Sequence, residues 1–87
     1  MKVVVEGRVQ GVSFRAALYE KALSNGVDGW VRNRNDGSVE ALLQGDDLAV
    51  RRLVEWTRRG PPRAEVLEVS EQVLDTYPRQ TGFRILA

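Results

Sequence analysis

Apolar residues recur along this chain with two periods, and the alternation between them sets out the elements. Val3-Val4-Val5 is a β-branched run that reads as a strand from Val3 to Glu6. Phe14, Leu18 and Ala22 then fall on one stripe at four-residue spacing, which predicts a helix from an N-cap at Ser13 to about Ser24. Asn25-Gly26 supplies the left-handed stop. Val27, Gly29 and Val31 alternate with Asp28, Trp30 and Arg32, and the period of two returns from Ser38 to Gln44 through Val39, Ala41 and Leu43. Arg34-Asn35-Asp36-Gly37 between them is turn chemistry, so the two runs form a β-hairpin. Val50, Leu53, Val54 and Thr57 make the stripe of a second helix, capped by Asp46 or Asp47, with Trp56 at its border. Arg58 and Arg59 are placed in its last turn, before a stop at Gly60-Pro61-Pro62. Leu67, Val69 and Val73 mark a strand between Ala64 and Leu74; Asp75 to Gly82 reads as a loop, and Phe83 to Leu86 as a short last strand.

The order β-α-β-β-α-β with a terminal β predicts an α+β, ferredoxin-like βαββαβ sandwich: an antiparallel sheet carrying both helices on one face, plus a short C-terminal strand. That architecture serves many unrelated functions, so function must come from particular residues. At 87 residues the chain has room for one domain, 1–87, and one core.

The composition excludes more than it suggests. The 43 % apolar and 29 % charged content belongs to a folded, water-soluble domain. No apolar run approaches the roughly 20 residues of a membrane helix, and no signal peptide is evident, so the expected setting is the cytoplasm, with no membrane partner. There is no His and no Cys. Zinc sites of the usual kinds, phosphohistidine or phosphocysteine intermediates and Ser-His-Asp or Cys-His triads are therefore closed to it. If the protein is an enzyme, its chemistry must be easy enough for Arg, Asn, backbone amides and water, and neither a metal nor a cofactor is expected. Net charge is only +1, which argues against a general nucleic-acid binder. Residues 1–34 nevertheless hold six basic and three acidic side chains, so positive potential is expected near Arg8, Arg15, Arg32 and Arg34.

The segment Gly7-Arg8-Val9-Gln10-Gly11-Val12-Ser13-Phe14-Arg15 runs out of the first strand into the first helix. Glycines at its start and middle allow a tight bend and a close approach of backbone to a ligand. A loop in that position aims unpaired N–H groups at a helix N-terminus, where the helix dipole favours an anion. Arg15 adds a guanidinium fork suited to phosphate or carboxylate oxygens. The segment reads as an oxyanion cradle, with inorganic phosphate or sulfate as simple ligands. Most Gly-rich turns bind nothing, and most Asn residues before a hairpin turn bond their own backbone, as Asn33 could.

Two segments together resemble the acylphosphatase family. Gly7, Val9, Gln10, Gly11, Val12, Phe14 and Arg15 meet its first motif, and Gly29, Trp30, Val31, Arg32, Asn33, Gly37, Val39 and Gly45 meet its second. The resemblance covers the whole chain, including Gly60-Pro61 and Gly82-Phe83-Arg84. It implies hydrolysis of an acyl phosphate, a small-molecule substrate, to a carboxylate and phosphate. It also implies that Arg15 and Asn33 are the catalytic pair: the Gly7–Arg15 loop would bind the phosphoryl group through its amides, Arg15 would clamp its oxygens, and Asn33 would orient the attacking water. Ser13 sits at a variable position and reads as a cap, because no base is present to make it a nucleophile. A monomer is the default for so small a unit. The rival readings are an RNA-binding sheet, which needs aromatics on its central strands, and an accessory module that binds carbamoyl phosphate.

Overall fold

A computed structural model describes residues 1–74 and 76–86. The elements are β1 (Lys2–Arg8), α1 (Phe14–Asn25), β2 (Asp28–Asn33), β3 (Val39–Gln44), α2 (Asp47–Thr57), β4 (Glu65–Gln72) and β5 (Phe83–Ile85). Asp75, expected to open the last loop, lies outside the described residues.

The strands form one sheet in the order β4-β1-β3-β2-β5. Four of them pair antiparallel, as the element order implies. β5 departs from the expected antiparallel sheet: it runs parallel to β2, with Val31 opposite Ile85 and the Leu86 N–H donating to the Val31 carbonyl at 2.8 Å. Both helices lie on one face. Phe14, Leu18 and Ala22 of α1 and Val50, Leu53 and Val54 of α2 close over Val3, Val5, Val31, Val39, Ala41, Leu43 and Phe83 in a single core. Trp30 and its register partner Leu42 point to the other face and are also buried. They sit beside Glu40, which pairs with Lys2 at 3.0 Å and Arg32 at 2.5 Å.

Local chemistry explains the ends of the helices. Asp46 accepts from the Ala49 N–H at 3.2 Å and caps α2, and Gly26 ends α1 in the left-handed region, where the Val27 N–H reaches the Ala22 carbonyl at 2.9 Å. Arg58 and Arg59 fall just beyond α2, which ends at Thr57, so the expected basic last turn is absent. β4 corrects the expected alternation. The ladder with β1 slips between Glu6 and Gly7, which leaves Leu67 at 75 % exposure, and Val73 lies past the strand at 72 %. Val69 packs against the core as its position in the alternation implies, and Val66 joins it in place of Leu67.

Candidate active site

The connection from β1 to α1 is held down by its apolar side chains. Val9, Val12 and Phe14 are buried in the core, and the Phe14 ring lies 5.5 Å from that of Trp56 at a 49° tilt. With alternate side chains anchored, the backbone between them is forced outward. Gly11 takes φ 74° and Ser13 φ 64°, both left-handed. For serine that conformation carries strain, of a kind that persists where surrounding packing over-determines it. Ser13 occupies the N-cap position of α1, but its hydroxyl makes no cap bond, contrary to the capping role expected for it. Among the described residues, no carbonyl accepts from the N–H groups of Gly11, Val12, Ser13, Phe14, Arg15 or Ala16. A run of unpaired donors opening a helix favours an anion.

Gly7 and Arg8 stand apart from this cradle. Both belong to β1, opposite Val66 and Glu65 of β4, and a Cβ on Gly7 would lie 2.3 Å from the Glu65 carbonyl oxygen. Glycine is required at position 7 by the neighbouring strand, rather than by closeness to a ligand. The Gln10 side chain also turns away, donating from Nε2 to the Arg34 and Ser38 carbonyls at 2.8 and 2.9 Å.

Asn33 ends β2 on the face that carries Gly29 and Val31, directed towards the helices. Its Oδ1 is buried and accepts no hydrogen bond from the described residues. Such atoms are uncommon in folded proteins and call for a specific cause. A cavity of about 190 Å³ joins Asn33 to Val9, Gly11, Ser13, Phe14 and Arg15. Arg15 and Asn33, named together from the motifs, thus share one wall-to-wall space. Gly7, Arg8, Gln10 and Val12 do not line it. Two residues that the sequence did not single out do: Ala16, in the first turn of α1, and Ile85 of β5. At this size the space suits a small oxyanion better than a drug-sized ligand.

The positive potential expected near Arg8, Arg15, Arg32 and Arg34 is partly offset by carboxylates. Arg15 forms no ion pair among the described residues. Arg32 projects from the opposite face, bonded to Glu40 and 5.9 Å from the Trp30 ring centre. Arg34 sits 3.8 Å from Asp36. The Ser38 hydroxyl and N–H, both bonded to Asp36, hold its carboxyl below the usual carboxylate range, with a smaller contribution from Arg34. At Glu40, burial acts to raise the carboxyl, but the hydrogen bonds and charges of Lys2 and Arg32 outweigh it and hold the group below its ordinary value.

Fold and site define a ferredoxin-like α+β domain with a small pocket where its first helix begins, its walls part apolar and part polar. The acylphosphatase family model matches residues 1–85. An acylphosphatase of Pelotomaculum thermopropionicum is 48 % identical over 83 residues, covering 95 % of this chain and 90 % of its own length. One of Thiobacillus denitrificans is 53 % identical over 79 residues, with 91 % and 86 % covered. The crystal structure of acylphosphatase from Bacillus subtilis superposes with a TM-score of 0.94 at 35 % identity, covering 99 % of this chain and 96 % of that one. The chain belongs to the acylphosphatase family of enzymes.

Proposed function

We propose that this enzyme hydrolyses acyl phosphates by a single in-line displacement in the pocket between Arg15 and Asn33. The observation that carries the reading is one cavity of about 190 Å³ lined by both Arg15 and Asn33, at a loop whose amides from Gly11 to Ala16 find no carbonyl partner among the described residues. In this reading the amides from Gly11 to Ala16 and the Arg15 fork hold the non-bridging oxygens of the phosphoryl group. Asn33 Oδ1 accepts a hydrogen bond from a water, and its Nδ2 donates to the phosphoryl group, which aligns the water behind phosphorus.

The water oxygen forms a bond to phosphorus as the bond from phosphorus to the acyl oxygen breaks. The electron pair of that bond leaves with the carboxylate. A neutral carboxamide is no base, so the water's proton passes to a phosphoryl oxygen. The leaving group needs no acid: a carboxylic acid of pKa about 4.3 departs as its anion. A loose phosphoryl transition state asks mainly for positioning and charge stabilisation, which this residue set can supply without His, Cys or metal. An RNA-binding sheet is disfavoured, since the aromatic of the central strands, Trp30, is only 8 % exposed.

The test compares benzoyl phosphate with p-nitrophenyl phosphate, whose leaving group is a phenolate. Ready turnover of the first, negligible turnover of the second and competitive inhibition by inorganic phosphate or sulfate are expected. Comparable rates on both substrates would refute the leaving-group argument.

A further inference from the structure

From the geometry we infer that the Gln10 side chain is a positioning residue: a double hydrogen-bonded clamp that sets the phosphoryl-binding loop at a fixed distance from Asn33. It rests on the reading of Asn33 given above. A glutamine carboxamide has two N–H donors. Both leave from Nε2 here, one to the Arg34 carbonyl at 2.8 Å and one to the Ser38 carbonyl at 2.9 Å. Arg34 directly follows Asn33, and Ser38 directly precedes Val39, the register partner of Asn33. One half-buried side chain from the middle of the loop therefore grips both ends of the hairpin turn, one position beyond the Asn33–Val39 rung that carries the carboxamide.

The hairpin does not need this clamp to exist. The Arg34 N–H donates to the Ser38 carbonyl at 2.8 Å, the Gly37 N–H donates to the Arg34 carbonyl at 3.2 Å, and Asp36 holds Ser38. Neither does the loop, whose neighbouring Val9 and Val12 are buried. The two Gln10 bonds are instead the polar link between loop and hairpin, two bodies that each hold one half of the proposed machinery. Losing them would leave the amides and Arg15 in place while freeing Asn33 to drift relative to them. Displacements of about 1 Å at such a site cost on the order of a hundredfold in rate.

Gln10→Met keeps the length and removes the donors, and Gln10→Asn keeps the carboxamide but falls short of both carbonyls. Each is expected to lower kcat on benzoyl phosphate about tenfold to a hundredfold, while the inhibition constant for inorganic phosphate stays within about twofold. In an Asn33→Ala background, Gln10→Met should lower kcat no further, because the clamp acts through Asn33. Parental kcat in Gln10→Met or Gln10→Asn would overturn the inference while leaving the Asn33 mechanism intact. So would a parallel weakening of phosphate inhibition, or a full multiplicative effect in the double variant. Parental turnover by Asn33→Ala alone would remove the mechanism, and this inference with it.

Discussion

Replacing Asn33 with Leu should make the protein more stable and nearly inactive. The two side chains share branching and heavy-atom count, and the adjacent cavity leaves room for the bulkier methyl groups, so the exchange chiefly removes the carboxamide. Leaving a buried acceptor such as Asn33 Oδ1 unpaired costs about 1–3 kcal/mol. Water entering the adjacent cavity recovers part of that in solution, so a net gain of about 1 kcal/mol is expected. In a domain of this size, that gain corresponds to a rise of about 4–8 °C in Tm. Losing the group proposed to align the water should reduce kcat about 10²–10³-fold, with phosphate inhibition little changed. Urea unfolding at constant m and benzoyl phosphate hydrolysis read the two effects separately. A destabilised variant would mean that the carboxamide has structural partners, and turnover within about threefold of the parent would end its assignment to water.

Arg15→Ala would remove the two charge-assisted hydrogen bonds proposed to the phosphoryl group, and phosphate inhibition should weaken by about a hundredfold or more with turnover almost lost; unchanged inhibition would remove Arg15 from the site. Ser13→Gly relieves a left-handed serine whose hydroxyl caps nothing, and a rise in stability of about 0.5 kcal/mol is expected by thermal unfolding. Glu40→Gln tests the far face of the sheet. Because the folded carboxyl is held below its ordinary value, its stabilisation is complete above the unfolded pKa and is lost as pH falls through the folded one. The parent should therefore exceed the variant by about 1–2 kcal/mol at neutral pH, its Lys2 and Arg32 partners being partly solvent-exposed, and the gap should close in acid. A gap that widened in acid would contradict the pairing.

The sequence was most legible where one local rule decided the outcome. Val50, Leu53, Val54 and Thr57 are the buried residues of α2, as their spacing requires, and Asp46 is its cap. Arg15 and Asn33 could be named from motifs, and they do line one cavity. What was hidden depended on neighbours distant in the chain. The bulge opposite Gly7 inverted the reading of Leu67, and the parallel docking of β5 brought Ile85 to the pocket. Ser13 looked like an ordinary cap because serine favours that position. Its backbone instead follows the burial of Val12 and Phe14 on either side, which is a tertiary constraint. Counting arginines likewise missed that Arg32 and Arg34 are engaged by Glu40 and Asp36.

The pocket draws on Val9, Gly11, the run from Ser13 to Ala16, Asn33 and Ile85 of the last strand. Only a fragment that runs from Val9 to Ile85 contains all of these, and they converge only when β5 has docked beside β2 at the edge of the sheet. If the pocket holds phosphate as proposed, the anion should discriminate between finished and unfinished molecules, because a growing chain completes the pocket only with its last strand.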